Sequence, residues 1–189
     1  QIAAMARYFP RFYQEAHERI KAIEKHLGNA CRTTFASVFS MMAINFGPRS
    51  CAIWHRDTTD VLSVCAVHAF GPFCSKKGGH LGLIEAQRLV ELPAGWTILF
   101  PSALITHGNA CIQEGETRTS IVQYTPGALA RYVHNGFKHP SQLKKSNRKA
   151  WRAAMADKDT RWEQFKNSFF TVDQLKKYWE REELERMNV

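Results

Sequence analysis

The sequence predicts an α+β chain: a sandwich or jelly-roll core of about eight short strands, with helices before and after it. Three observations predict this. Apolar residues recur at spacings of three and four over residues 1–27, and a helical period returns after Pro126-Gly127. Between these segments, over 33–125, the apolar runs are short, and Gly, Pro and polar turns divide them. The chain has 189 residues, 44% hydrophobic and 23% charged, which is ordinary globular composition. A chain of this length buries enough surface to fold without a disulfide or metal staple. The expected division is a single domain with N-terminal helices over 1–32, the β-core over 33–125 and basic helices over 126–189.

The elements follow in order. Phe12, Ala16, Ile20, Ile23 and Leu27 form one helical face, Pro10 starts or kinks a segment, and Gly28 is a stop signal. The strand-like runs are 34–45, 51–54, 62–70, 79–84, 88–92, 96–100, 104–107 and 118–125. Thr171-Val172-Asp173-Gln174 is a capping box that opens a last helix running toward Glu185. No run of about 18 apolar residues exists, so no membrane-spanning helix is expected. The start is too short and too soon charged for a signal peptide, and it lacks an initiator Met, so a trimmed chain or a fragment is expected.

The net charge is +9, and it is unevenly spread. Residues 1–60 carry +3, residues 61–130 are neutral and residues 131–189 carry +6. From Arg131 to Ala156 there are seven basic residues and no acidic one. A neutral core with a basic tail suggests a surface facing a polyanion, and a plain solvated helix face is the alternative. Five cysteines with no C-x-x-C pair fit buried, reduced thiols in a cytosolic or nuclear protein, with no disulfide partner and no zinc site.

The candidate chemistry starts at His55-Arg56-Asp57, where a strand-like run meets a polar turn. Residues two apart on extended backbone point the same way, so His55 and Asp57 can serve one ion. A kinase catalytic loop is excluded, because it needs Asn five residues after the Asp and Leu62 stands there. His107 is expected to end a short strand fifty residues later. Arg118 is the only charged residue from Thr117 to Ala130, at the mouth of an apolar strand. A buried cation needs an anionic partner, and a bound carboxylate is one that Arg holds bidentately. Two His and one carboxylate leave three positions open on octahedral iron, the facial triad of non-haem Fe(II) oxygenases. A 2-oxo acid fills two of these and O2 the third, with Arg118 clamping the far carboxylate of 2-oxoglutarate. His80, beside Gly78-Gly79, is expected near cofactor or substrate, since the glycines allow close backbone approach. The remaining histidines read as structural.

These residues resemble a known family. His55-Arg56-Asp57, then Lys77-Gly78-Gly79-His80-Leu81, then the run from Pro101 to Asn109 and the run from Glu116 to Thr125 are similar to compact fungal members of the TET/JBP group of 2-oxoglutarate- and Fe(II)-dependent DNA dioxygenases. The resemblance covers roughly 36–137. It implies a double-stranded β-helix, with His55, Asp57 and His107 as metal ligands. It implies that Arg118 binds 2-oxoglutarate, with Ser120 as its partner and Asn45 as a further cofactor contact. It also implies that Asp60, three residues after Asp57, meets the target base. Its substrate is methylated duplex DNA with the base flipped out. The activity implied is oxidation of 5-methylcytosine to hydroxymethyl and higher products, demethylation of N6-methyladenine with release of formaldehyde, or both. Animal members carry Cys-rich zinc modules that grip DNA, and this chain has no such pattern. Arg131, Lys144, Lys145, Arg148 and Lys149 are the expected backbone contacts in their place. A nuclear monomer is expected. A hydroxylase of the same fold acting on RNA, protein or a small molecule stays open, as does an inert nucleic-acid-binding module.

Overall fold

The computed structural model describes residues 2–28, 37–60, 63–156 and 158–187. Helices α1 (Ile2–Tyr8) and α2 (Pro10–Leu27) divide at Pro10, whose missing N–H suits the first position of a new helix. Of the face its spacing predicts, α2 buries Phe12, Ala16 and Ile23, half-buries Ile20 and exposes Leu27 at its last turn, where it gives way to Gly28. Seven strands follow among the described residues: β1 (Met41–Asn45), β2 (Cys65–Phe70), β3 (Leu81–Leu83), β4 (Arg88–Val90), β5 (Thr97–Phe100), β6 (His107–Asn109) and β7 (Thr119–Tyr124). Helices α3 (Gly127–His134), α4 (Pro140–Ser146), α5 (Arg148–Ala156), α6 (Lys158–Ser168) and α7 (Val172–Met187) complete the chain. The capping box of α7 forms: Gln174 N–H donates to Thr171 Oγ1, and Thr171 N–H donates to Gln174 Oε1.

The strands form two antiparallel sheets, in the orders β1-β7-β2-β5 and β4-β3-β6. Cys65, Val67 and Ala69 of β2 share one apolar cluster with Leu81 and Leu83 of β3 and Phe100 of β5, so the sheets face each other. Ala66 of β2 points the other way, into a cluster with Met5, Phe12, Ala16 and Phe165. The helices thus cover the outer face of the larger sheet. That is why β2 reads as an apolar run broken only by the half-buried His68, and not as an alternation. The order of the strands and their antiparallel pairing make a double-stranded β-helix with helices on one side.

Some expectations change. The run 51–54 is not a strand: it lies beside β6, and ladder pairing is reduced to one bridge, His55 to His107. The cause is Asn109, whose Oδ1 takes the Ala52 N–H in place of a backbone carbonyl. About eight strands become seven and one bridged segment. His107 opens β6 instead of ending a strand, because 101–105 is a turn in which Leu104 and Ile105 N–H both donate to Pro101 O. The thiols are not all buried. Cys65 is, but Cys51, Cys74 and Cys111 are exposed because they lie on connections, away from core-facing strand positions. Cys31 and the start of the run 34–45 lie outside the described residues.

Candidate metal centre

The bridge between His55 and His107 brings together residues far apart in sequence. His55 N–H donates to His107 O and His107 N–H to His55 O, both at 2.9 Å. The two rings lie 4.3 Å apart between centroids. Each ring is fixed by its own backbone: Nδ1 of His55 donates to Ile53 O at 2.7 Å and Nδ1 of His107 to Ile105 O at 2.9 Å. A carbonyl only accepts, so Nδ1 carries the proton and Nε2 keeps its lone pair. Both Nε2 atoms face Asp57, at 3.5 Å from one carboxylate oxygen and 3.7 Å from the other. The ligand atoms of the three residues lie within 4.8 Å of one another. Burial pushes the His107 imidazole toward its neutral form, which is the ligating one. The donor set fits a divalent metal held by two imidazoles and one carboxylate.

Asp57 is placed by its N–H on Ser102 O, and its own carbonyl accepts from Asp60 N–H to close a turn. A network that the sequence does not announce braces both sides. Arg56 Nε donates to Thr106 Oγ1 at 2.8 Å, and Glu85 Oε2 accepts from Thr106 N–H at 2.6 Å. Glu85 also pairs with the Arg56 guanidinium. The Thr106 hydroxyl first, and then the backbone and Arg56, hold the Glu85 carboxyl down at about 2. Arg56 stands between two ligands and Thr106 precedes the third, so one exposed glutamate ties the two segments. No local pattern marks Glu85, because its partners are 21 and 29 residues away.

The triad opens into a cavity of about 320 Å³ between the sheets, lined also by Asn45, Asp60, Arg118, Ser120 and Tyr124. Arg118 is 2% exposed. Its Nη1 donates to Ser50 O at 3.3 Å, and its buried Nε has no partner. Among the described residues no carboxylate pairs with it. Burial pushes its guanidinium down from its ordinary range. A nearly buried cation with unused donors on a cavity wall fits a carboxylate ligand such as that of 2-oxoglutarate. Asn45 and Ser120 are register partners on β1 and β7, and Asn45 Nδ2 donates to Ser120 Oγ at 3.0 Å. Gly79, at φ 72°, leaves room for Arg118: a Cβ there would stand 3.2 Å from the Arg118 Cδ and 2.9 Å from the Phe73 ring. Gly78 packs likewise on the Cys111 carbonyl. These glycines serve the chain's own packing.

Asp60 lines the cavity, and its backbone bridges to Pro126. Burial, and then the neighbouring Asp57, raise its carboxyl to about 6. His80 is not among the residues lining the cavity. It is half-buried, and its carbonyl accepts from Ala110 N–H. The basic residues lie on the helices after the core. Arg131 is exposed on α3, whose first residue, Gly127, donates its N–H to Thr59 O beside Asp60. Lys144 and Lys145 on α4, and Arg148 and Lys149 on α5, are exposed, and Lys144 Nζ sits 4.8 Å from the Trp151 ring centroid.

No family model matches the chain, and no curated protein matches it. Among solved structures it is similar to NgTET1 in complex with 5mC DNA, at 16% identity and a TM-score of 0.44, over 59% of this chain and 47% of that one. The chain thus spans under half the length of that relative. It is similar to the viral collagen prolyl hydroxylase of Paramecium Bursaria Chlorella virus-1, in complex with 2OG, at 11% identity and a TM-score of 0.32, over 57% of this chain and 69% of that one. An RmlC-like cupin protein from Desulfovibrio desulfuricans matches at 7% identity and a TM-score of 0.29, over 49% of this chain and 93% of that one. No helix among the described residues is long and apolar enough to cross a membrane.

Proposed function

We propose that the chain is an Fe(II)- and 2-oxoglutarate-dependent dioxygenase acting on the methyl group of a base in duplex DNA. The single observation that carries this is the convergence of His55, Asp57 and His107 on one cavity wall with a buried, partner-seeking Arg118 on another. When bound, Fe(II) and 2-oxoglutarate supply oxidation of a C–H bond by O2, coupled to loss of carbon dioxide from the 2-oxo acid. The chain's own residues do the rest. Backbone carbonyls fix each imidazole so that its Nε2 lone pair faces the ion. Asp57 adds negative charge. Arg118 anchors and orients the carboxylate at the far end of the cavity, and the Asn45–Ser120 pair fixes the wall beside it. The sheets' apolar inner faces limit water.

The DNA reading is supported by the basic residues of α3–α5 and by the start of α3 on the loop that carries Asp60. A flipped base entering past that loop would meet the Asp60 carboxylate. The target is 5-methylcytosine or N6-methyladenine, and a nuclear location and a fungal source go with this reading. The test is iron-dependent formation of succinate with duplex oligonucleotides carrying either base, with the products identified by mass. Succinate formed without a change in either oligonucleotide would move the assignment to RNA, protein or small-molecule hydroxylation. No turnover of 2-oxoglutarate at saturating Fe(II) would leave a nucleic-acid-binding module.

A further inference from the structure

We propose that Cys51 and Cys111 are a redox-active thiol pair, which a peroxide closes into a reversible disulfide that clamps together the segments bearing His55 and His107. The two sulfurs are 3.3 Å apart and both side chains are exposed. Their placement follows from the bridge at the metal centre. Cys51 stands four residues before His55 and Cys111 four after His107, and Asn109, through its N–H on Ala52 O and its side chain on Ala52 N–H and Ser50 O, keeps the two segments side by side as far as the cysteines. A disulfide needs its sulfurs about 2.05 Å apart, a little over 1 Å closer than they stand here. Rotation about χ1 and a small approach of the two segments close that difference.

The other thiols lack these features. Cys65 is buried, and burial pushes its thiol up to about 12, so it is inert. Cys74 is exposed, but no described thiol faces it. Within the pair the roles differ. Cys51 Sγ donates to Asn109 O at 3.1 Å, and burial and then the contact with Cys111 push its thiol up, so Cys51 keeps its proton as the resolving sulfur. Cys111 attacks the peroxide O–O bond, giving a sulfenic acid and water. Cys51 then attacks the Cys111 sulfur and expels a second water, leaving the disulfide. Two electrons pass from the sulfurs to the peroxide.

The clamp adjoins the anion site. Ser50, next to Cys51, accepts through its carbonyl from Arg118 Nη1 and from Asn109 Nδ2. Closing the disulfide therefore fixes the backbone that holds Arg118 as well as the one that holds both imidazoles.

The test treats reduced protein with one equivalent of hydrogen peroxide, blocks free thiols by alkylation and maps the peptides by mass. The expected result is one cross-linked pair joining Cys51 and Cys111, reversed by dithiothreitol. It is absent in Cys51→Ser and Cys111→Ser and kept in Cys74→Ser. The oxidised chain should melt roughly 4–16 °C higher, since the link closes a long loop. After removal of peroxide, bound Co(II) should leave the oxidised chain to EDTA at least about threefold more slowly than the reduced one. Alkylated, unlinked Cys51 and Cys111 would overturn the proposal. So would a cross-link without the thermal shift, or unchanged release from a chain that binds Co(II). The metal readout rests on the metal reading above, and the cross-link and melting do not. A reduced chain that binds no Co(II) would defeat the metal reading, and the clamp would then stand or fall on those two.

Discussion

Gly82 and Gly108 are register partners on β3 and β6, and the Trp54 ring packs over both. A Cβ at Gly82 would stand 2.4 Å from the ring, and one at Gly108 3.2 Å from it. The two glycines make a slot on the outer face of the smaller sheet. Trp54 fills it, and the next residue is the ligand His55.

This slot gives the first prediction. Gly82→Ala expels the indole and should weaken divalent-metal binding about tenfold, the scale expected when a neighbour that orients a metal ligand is removed. Trp54→Ala should do the same. The double variant should be no worse than Trp54→Ala alone, because both remove the same support. Metal titration of the three variants checks this, and additive effects would show that the slot does not act through Trp54.

Ala at His55, Asp57 or His107 should abolish iron-dependent turnover and leave the sheets folded. The thermal cost should differ among them. His55 and Asp57 side chains are 41% and 29% exposed, so their removal should cost little. His107 is buried with its ring 4.9 Å from that of Phe100, so its removal should cost about 1–3 kcal/mol. Melting curves and turnover at saturating Fe(II) check both. Retained turnover in any of the three would remove that residue from the metal site.

Arg118→Ala should raise the 2-oxoglutarate requirement and spare DNA binding. A charge-assisted hydrogen-bonded pair contributes about 1.5–3 kcal/mol, or roughly one to two decades in affinity. Arg118→Lys should recover only part of this, since an ammonium cannot form the bidentate fork. The apparent affinity for 2-oxoglutarate is the measurement, and an unchanged value would defeat the assignment.

The larger part of this arrangement was legible in the sequence because it depends on local rules. Period and breakers mark the helices and runs, and an isolated Arg on an apolar strand marks a site that wants an anion. What was hidden depends on pairing between distant segments. Nothing near Cys51 says that the Asn109 side chain will replace a ladder bond, so 51–54 reads as a strand. Nothing near Glu85 says that it will meet Arg56 and Thr106. Gly78 and Gly79 read as ligand-approach glycines, because sequence does not tell a ligand from the chain's own Arg118 and Cys111 as the close neighbour.

The basic helices give a fourth prediction. Neutralising Lys144, Lys145, Arg148 and Lys149 together should weaken DNA binding without regard to sequence. Cations on phosphates release counterions, so the slope of log affinity against log salt should become shallower by up to about 0.9 for each phosphate no longer neutralised. Titrations at several salt concentrations read this directly. An unchanged slope would make these residues a solvated helix face.

The last prediction concerns base choice at Asp60. Its carboxylate lines the cavity that holds the triad, and the turn from Asp57 to Asp60 fixes its offset from the metal ligand. Arg56 does not engage it, because the guanidinium is held by Glu85 and Thr106. Asp60 is therefore available to a ligand. A carboxylate accepts hydrogen bonds, so it suits the exocyclic amine of cytosine N4 or adenine N6 and repels thymine O4. Methylated cytosine and adenine should be oxidised in preference to thymine. Asp60→Asn keeps one acceptor oxygen and should be mild. Asp60→Phe removes the acceptor and adds bulk, and should shift the ratio of 5-methylcytosine to N6-methyladenine turnover. Its decarboxylation of 2-oxoglutarate without DNA should persist, because Arg118 and the triad are intact. Turnover of both oligonucleotides across the two variants decides the matter, and a ratio that does not move with Asp60→Phe would mean that Asp60 only builds the turn.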